Sequence, residues 1–351
     1  MKIGKVPENV LKRSVLRQLQ TKREEIISGA GIGEDCAIFS FDGGIMMTCM
    51  QTAAVKCSGF HSPEKPEISM AHLLQRCANN LAAAGAQPVG AAIALTLPED
   101  AEEADVKALM ADAEAKCREL HMQIAGGQTR VSGAVRQPVA AVTGYGKPFE
   151  PENETVRQGK SSEKPGRPGK YPASAVQAGQ HIVISKWIGL EGTAMLAGRY
   201  RDKLLKRYPA YFVEEAAGFD RLLSVIPEAA TAMKSGACMM HDASEGGIFG
   251  ALWELAERAG VGLTIDLKKL PLRQETVEVC EYCNVNPYEL LSGGALIMVT
   301  EDGPGLLEAL KAENIPAAIV GRTTDSNDRI IRNGEETRFL DRPKSDEINK
   351  E

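Results

Sequence analysis

The sequence lacks the features that would assign it at once to a membrane or nucleic-acid class. It has no apolar run of the length that a membrane span needs, and its N-terminal stretch, MKIGKVPENVLKRSVLRQL, contains no uninterrupted hydrophobic region of a secretion signal. It also lacks an excess of positive charge, because 47 Asp and Glu outnumber 41 Lys and Arg and the net charge is -6. Nucleic acids and anionic membranes are bound through surplus Lys and Arg, so we expect neither as a partner. The sequence predicts a cytoplasmic protein with a small-molecule, nucleotide or protein partner.

Cysteine is too sparse for a secreted disulfide framework. Eight Cys are spread over 351 residues, and most are predicted to be reduced and half-buried. Only Cys280 and Cys283 form a C-x-x-C pair, in the stretch RQETVEVCEYCNVNP that is typical of a helix. No second pair and no suitably spaced histidine completes a four-ligand zinc site. We therefore favour packing in a helix over a metal or redox role, and metal analysis for stoichiometric zinc tests this choice.

The chain length and one segment of unusual composition indicate two domains. A chain of 351 residues suits two hydrophobic cores better than one. The segment 147–176 is rich in Pro, Gly, Lys, Glu and Ser and nearly free of large aliphatic residues, so it cannot bury enough surface to offset its ordering entropy. We predict an N-terminal domain over 1–146, a flexible insertion or linker over 147–176 and a C-terminal domain over 177–351.

Strand and helix patterns alternate irregularly in both halves of the chain. In the first half the strand patterns CAIFSF and IMMTCMQTAAV follow each other directly, as in a hairpin. In the second half, MMHDASEGGIFGALWELAERAGVGLTIDL has the pattern of a strand, a helix and another strand. Asp242 or Ser244 could cap that helix, and Gly260 could end it. These patterns favour two α+β lobes over a doubly wound sheet.

Two adjacent asparagines interrupt a segment made almost entirely of good helix formers, CANNLAAAGAQPVG. Asparagine is unfavourable in a helix interior by roughly 0.5 kcal/mol relative to alanine. A solvated polar face would explain Asn79 and Asn80. However, Asn80 falls on one stripe with Leu73, Cys77 and Ala84, which should be packed or face a cleft. A buried amide needs a polar partner.

The stretch GAGIGED combines alternating glycines with two carboxylates. Gly29, Gly31 and Gly33 precede Glu34 and Asp35 and lead into a strand, so the stretch is neither a dinucleotide fingerprint nor a Walker loop. A flexible turn is one interpretation. The other is a phosphate or cation site, because hard cations such as Mg²⁺ bind clustered oxygen atoms.

The stretch IAGGQTRV has the pattern of a strand that runs into a glycine pair. Gly127 is followed by Gln128, Thr129 and Arg130. Glycines at such a position allow a ligand or another backbone to approach closely. A plain turn fits the local sequence equally well.

Five stretches in order resemble one known superfamily. GIGEDCAIF, NNLAAAGAQPVG, IAGGQTRVSG, AAVTGYG and MHDASEGGIFGALWELAERAGVGLTID are similar to the aminoimidazole ribonucleotide (AIR) synthase, or PurM-like, superfamily, and within it to the HypE family of hydrogenase maturation proteins. The resemblance spans nearly the whole chain apart from 147–176. It implies a two-lobed α+β fold, a homodimer formed through the first lobe, and phosphoryl transfer from ATP with Mg²⁺ to activate an acceptor.

The residues that depart from the superfamily pattern occupy positions where the pattern has metal-binding side chains. The acidic pair of the pattern is retained as Glu34 and Asp35, the expected metal ligands. An aspartate of the second strand falls on or next to Gln51, the helix aspartate becomes Asn80, and the position after the glycine pair becomes Gln128. An amide oxygen can coordinate Mg²⁺ but supplies no charge. The resemblance therefore implies weak Mg²⁺ binding and inefficient ATP chemistry.

The resemblance assigns a role to each candidate site residue. The proposed catalytic residues are Asp242 and Ser244, and the metal ligands are those of the acidic pair. The proposed nucleotide-binding residues are Gly31, Gly33, Gln51, Asn80, Gly127, Gln128, Thr129 and Arg130.

Two functions remain open at this point. The first is an AIR synthase-related enzyme with an ATP- or phosphate-binding cleft between its lobes, which activates a small-molecule or protein acceptor. The second is a non-catalytic pseudoenzyme that acts as a partner-binding or regulatory module. The HypE family carries its substrate group on a C-terminal cysteine, whereas this sequence ends DRPKSDEINKE with no Cys beyond Cys283. We therefore do not expect dehydration of a group on its own tail.

Overall fold

The computed structural model describes residues 6–41, 44–57, 68–149 and 176–350. The chain forms two compact units. The first, called the N-sheet unit, comprises Arg23–Gly29 and Asp35–Pro148. The second, the C-sheet unit, contains the described residues of Met1–Lys22, Ala30–Glu34 and Phe149–Glu351. The residues that the structure describes do not include 150–175, so most of the predicted insertion over 147–176 lies outside them.

Helices and strands occur in both halves of the chain. In chain order, the helices are α1 Glu8–Val10, α2 Met70–Ala83, α3 Glu103–Glu119, α4 Leu190–Arg199, α5 Arg201–Leu204, α6 Ala210–Ala217, α7 Ile226–Lys234, α8 Gly247–Ala259, α9 Gln274–Cys283 and α10 Gly303–Ala312. The strands are β1 Ile26–Ser28, β2 Cys36–Phe41, β3 Gly44–Ala54, β4 Ala86–Leu97, β5 Gln123–Val131, β6 Val139–Pro148, β7 His181–Ser185, β8 Met239–Asp242, β9 Gly262–Asp266, β10 Leu296–Thr300, β11 Ala317–Thr324, β12 Arg329–Asn333 and β13 Glu336–Phe339.

The N-sheet unit contains a mixed sheet with the strand order β1-β2-β3-β6-β4-β5. Strands β4 and β5 pair in parallel, whereas β2 with β3, β3 with β6 and β4 with β6 pair antiparallel. Helix α2 begins at Ser69, whose side chain accepts a hydrogen bond from His72 N, and packs on β3, β6 and β4. On alternate positions of the strands, side chains such as Met50, Thr52 and Ala94 are exposed. One face of the sheet is therefore covered by α2, and side chains of the other face are open.

The C-sheet unit contains a sheet with the order β13-β12-β9-β11-β7-β10-β8. Its core joins apolar side chains of β7, β9 and β10 to those of α8, among them Ile184, Leu252, Ile265 and Ile297. Helix α8 buries Ile248, Leu252 and Leu255 and ends at Gly260, which has a φ of 66°. The predicted end of this helix is confirmed.

The N-terminal segment packs within the C-sheet unit although it precedes the N-sheet unit in sequence. Trp253 on α8 donates its Nε1 hydrogen to Glu8 Oε2 at 2.9 Å, and Lys12 forms an ion pair with Glu257. The helix of this segment is irregular, because α1 passes into a π turn over Leu11–Val15 and a 3₁₀ turn over Leu16–Gln18.

Two local interpretations that the sequence left open are wrong. Neither Asp242 nor Ser244 caps α8, because Asp242 is the last residue of β8 and the N-cap is Gly246 without a side-chain hydrogen bond. The stretch IAGGQTRV does not turn after its glycine pair, because β5 continues to Val131 in parallel pairing with β4. Backbone hydrogen bonds from a neighbouring strand outweigh the low strand propensity of glycine at this position.

No helix among the described residues combines the length and the apolar character that crossing a bilayer requires.

Candidate functional site

The predicted site residues divide between the two units. Gln51, Asn80, Asp35 and the run 127–130 belong to the N-sheet unit. Gly31, Gly33, Glu34, Asp242 and Ser244 belong to the C-sheet unit, so the division falls between the two members of the acidic pair.

Both asparagines of α2 are buried. Asn79 is 2% exposed and Asn80 is 5% exposed, so a solvated polar face does not explain them. Asn79 Oδ1 accepts a hydrogen bond from Gln75 Nε2 at 2.9 Å, and Gln75 Oε1 in turn accepts one from Lys116 on α3 at 3.3 Å. The backbone carbonyl of Asn80 lies 3.3 Å from Cys36 Sγ on β2. The amides are thus built into the packing of α2.

The four residues of the glycine-pair stretch lie on an edge strand. Strand β5 ends the sheet order, and Gln128, Thr129 and Arg130 are exposed along it. Gly127 has a φ of 148°, and a Cβ built on it would lie 1.9 Å from the carbonyl oxygen of Ile93 on β4. This glycine is therefore required by the close approach of β4 and β5, and the polar side chains after it are accessible to a ligand.

The glycine-rich loop is fixed against the C-terminal half of α8. Gly33 has a φ of 73°, and an added Cβ would lie 2.7 Å from the backbone oxygen of Glu254. Glu34 Oε1 lies 2.9 Å from Arg258 Nε, with both side chains largely buried. The carboxylate of Glu34 is already paired with a guanidinium, so a cation would have to compete for it.

The described residues do not fit a carboxylate-rich magnesium site. Within 6–41, 44–57, 68–149 and 176–350, no group of three or more His, Cys, Asp or Glu side chains is arranged to hold a metal ion. Magnesium sites use one or two carboxylates together with phosphate oxygens. Glu34 is engaged by Arg258, and Gln51, Asn80 and Gln128 are neutral, so we derive no chemical step through a metal.

Asp242 precedes the loop that enters α8, and Ser244 lies in that loop. Asp242 is buried and pairs with Leu296 of β10. The carbonyl oxygen of Ser244 accepts hydrogen bonds from Gly247 N at 3.1 Å and Ser292 N at 3.2 Å. The loop is therefore held by backbone hydrogen bonds, and Ser244 is partly exposed on it.

Sequence reasoning missed a buried His–Glu contact beside this loop. His241 Nε2 lies 3.2 Å from Glu254 Oε2 on α8. Successive side chains of a strand point to opposite faces, so His241 faces α8 while Asp242 faces away from it. The alternation of β8 was the only signal available for this contact.

Sequence reasoning also missed Asp346, which fixes the start of α8. Its buried carboxylate accepts hydrogen bonds from Gly246 N at 2.6 Å, Leu291 N at 3.1 Å and Ile348 N at 2.8 Å. Burial raises the pKa of Asp346 to about 6, and the three backbone donors together lower it less than burial raises it. Asp346 thereby holds the C-terminal segment over the loop that carries Ser244.

The stability of the protein is expected to depend on pH through Asp346. The folded state binds the proton of this group more tightly than the unfolded chain, where its pKa is near 3.8. The stabilisation is therefore complete below the unfolded pKa and is lost as the pH rises through about 6. Between about pH 4 and pH 7, the wild type should lose about 2 kcal/mol relative to Asp346→Asn.

Urea unfolding of the wild type and Asp346→Asn across this pH range measures the effect, because other carboxyl groups titrate equally in both proteins. Unfolding free energies that keep a constant difference at every pH would contradict the assignment.

Comparison with known proteins places these features in a family. Residues 33–147 match the family described as AIR synthase related protein, N-terminal domain, and residues 177–332 match AIR synthase related protein, C-terminal domain. A putative hydrogenase expression/formation protein of Methanocaldococcus jannaschii is 24% identical over 334 residues, which cover 93% of this chain and 90% of that protein. Carbamoyl dehydratase HypE of Rhodobacter capsulatus is 28% identical over 258 residues, covering 72% of this chain and 69% of that protein. The crystal structure of the hydrogenase maturation protein HypE in complex with ATP has a TM-score of 0.66 and 16% identity, covering 97% and 96% of the two chains.

The two sheet units define a PurM-like α+β protein, as the sequence predicted. The chain belongs to the AIR synthase-related family, and HypE proteins are among its relatives.

Proposed function

We propose that this protein binds ATP or another phosphorylated ligand with little dependence on Mg²⁺, as an AIR synthase-related protein whose metal positions have become amides. The observation that carries the proposal is the buried Asn80 of α2, at a position where the family resemblance implies an acidic metal ligand. The likeness of the chain to a HypE structure that contains ATP supports a nucleotide as the ligand.

The polar groups of β5 suit a phosphate chain. Gln128 supplies an amide donor and Arg130 a positive charge on one face of β5, Thr129 supplies a hydroxyl donor on the other face, and all three are exposed. Phosphate oxygens are bound by such donors and by guanidinium groups. In this proposal, Gln51 and Asn80 of the same unit complete the ligand-binding set. The roles of Gly31, Gly33, Asp242 and Ser244, which lie in the C-sheet unit, stay predictions.

The amides explain the weak dependence on metal. In a carboxylate-rich site, a phosphate chain is repelled unless a metal intervenes, because unit charges about 4 Å apart repel by about 1 kcal/mol in water and more in a drier site. Gln51, Asn80 and Gln128 carry no charge, so none of them adds to that repulsion.

A non-catalytic pseudoenzyme is the alternative, and the same amides favour it. Phosphoryl transfer relies on metal ions to neutralise the developing charge. An ATP hydrolysis assay with added Mg²⁺ separates the two functions. Turnover that disappears in Asp35→Ala but persists in Asp100→Ala, an exposed carboxylate of the same unit, supports the enzyme. Ligand binding without turnover supports the pseudoenzyme.

We also propose that two copies associate through the open face of the N-sheet. Met50 on this face is 65% exposed, and Thr52 and Ala94 are exposed near it. The family resemblance implies a homodimer formed through the first lobe, and a second copy would cover the exposed side chains of this face. We expect a homodimer at micromolar concentration by size exclusion with light scattering.

Met50→Lys is expected to raise the dissociation constant of this dimer by about tenfold or more, because each copy then places one positive charge in the apolar contact. The control is Tyr211→Lys, since Tyr211 is 75% exposed in the C-sheet unit. A monomeric wild type, or equal dissociation in both variants, would rule out this surface.

A further inference from the structure

Two buried thiols meet between β3 and α2. Cys49 Sγ lies 3.1 Å from Cys77 Sγ, and it also lies 3.2 Å from the carbonyl oxygen of Cys77. Both side chains are buried in the N-sheet unit. The sulfur atoms of a disulfide are about 2.05 Å apart, so these two need to approach by only about 1 Å.

A glycine on the neighbouring strand lets the thiols meet. Gly144 on β6 pairs with Cys49, and a Cβ built on it would lie 2.6 Å from Cys77 Sγ and 3.4 Å from Cys49 Sγ. The absence of a side chain at Gly144 therefore leaves the space that both sulfur atoms occupy. The helix and the sheet are held in this position by the surrounding core.

A third thiol lies nearby but is directed elsewhere. Cys36 on β2 is paired in register with Cys49 on β3. Its Sγ lies 3.3 Å from the backbone oxygen of Asn80. Cys36 is thus the rival partner of Cys49, and any test has to distinguish the two pairs.

We propose that Cys49 and Cys77 form a disulfide that clamps α2 to the sheet. Each thiol gives up its hydrogen, one S–S bond forms, and two electrons and two protons pass to a two-electron oxidant. The oxidant is a small-molecule disulfide such as oxidised glutathione, or the diazene reagent diamide in the laboratory.

The reaction is slow in the closed fold. The hydrogen-bond contact with Cys49, together with burial, raises the pKa of the Cys77 thiol far above its usual range, so little thiolate is present near neutral pH. The bond therefore forms chiefly when the helix opens or while the chain folds. Once formed, it fixes the helix that carries Asn79 and Asn80, and its effect on ligand binding rests on the proposed function.

The test is peptide mapping of the full-length wild type after two treatments, diamide on the folded protein and refolding with oxidised glutathione. Trypsin leaves Cys49 in the peptide 24–56 and Cys77 in the peptide 77–107, and chymotrypsin can cut at Phe39 or Phe41 between Cys36 and Cys49. We expect a cross-link of the Cys49 and Cys77 peptides that dithiothreitol reverses, formed at least tenfold more slowly in the folded protein than during refolding.

Matched variants give an independent measurement. Cys49→Ala should abolish the cross-link between 24–56 and 77–107, whereas Cys36→Ala and Cys117→Ala should keep it. Oxidation should raise the thermal midpoint of the wild type by about 5 °C and leave that of Cys49→Ala unchanged. Absence of the linked peptides after both treatments, or a link made through Cys36, overturns the proposal. Peptide mapping of the wild type shows whether the Cys49–Cys77 disulfide forms even where a variant fails to fold. This measurement does not depend on ligand binding.

Discussion

Gly127→Ala is expected to destabilise the N-sheet unit by about 3 kcal/mol or more. The added Cβ would lie 1.9 Å from Ile93 O, a backbone atom that cannot move aside without breaking the pairing of β4 with β5. The φ of 148° adds strain, because residues with a side chain rarely adopt it. The adjacent Gly126 is the matched control, since a Cβ there would meet nothing within 4 Å.

Gly126→Ala should change the unfolding free energy by less than about 1 kcal/mol. The variant should be as stable as the wild type or slightly more stable, because alanine lowers the conformational entropy of the unfolded chain. Urea unfolding of the two variants measures both effects. Equal stability of Gly126→Ala and Gly127→Ala would show that β5 does not pair with β4 in this register.

Lys186→Met is expected to cost about 3–5 kcal/mol of stability. Lys186 is buried at the end of β7, its Nζ lies 2.5 Å from Glu228 Oε1 on α7, and it also donates to the carbonyl oxygen of Ser224. Burial lowers the pKa of Lys186, and Glu228 opposes that shift. Removing the ammonium leaves the carboxylate of Glu228 buried without its counter-charge.

The double variant Lys186→Met/Glu228→Leu should recover most of the loss, because a buried ion pair can be replaced by apolar groups at little cost. Lys203→Met, an exposed lysine of the same unit, is the control and should change stability by less than about 0.5 kcal/mol. Denaturant unfolding gives all three values. A double variant as unstable as the single one would contradict the ion-pair account.

Sequence patterns correctly predicted the elements that depend only on residues close together in the sequence. The strand CAIFSF matches β2 residue for residue, and the helix that ends at Gly260 was predicted from its apolar positions and its glycine. Burial of Asn80 followed from its place on an apolar stripe. These features depend on side chains within a few turns or strand positions of one another, so periodicity suffices.

The remaining features depend on contacts between residues distant in sequence. The continuation of β5 requires β4 beside it, and the pairing of Glu34 with Arg258 requires α8. Asp346 lies 100 residues from Gly246, which it contacts, and nothing in its local sequence predicts this contact. Conversely, the ligand-binding roles of Asn80, Gln128 and Arg130 stay predictions, because they concern a molecule that the fold alone does not identify.

The most direct test of the proposed function is a calorimetric titration of ATP with and without Mg²⁺. The measurement uses the wild type and the triple variant Gln51→Asp/Asn80→Asp/Gln128→Asp, whose folding is checked by circular dichroism. We predict that Mg²⁺ changes the affinity of the wild type by less than about tenfold, a difference of about 1.4 kcal/mol, and that the triple variant binds ATP only with the metal. A wild-type affinity that rises about a hundredfold on adding Mg²⁺ would contradict the account, because the acidic pair at 34 and 35 would then suffice to hold the metal.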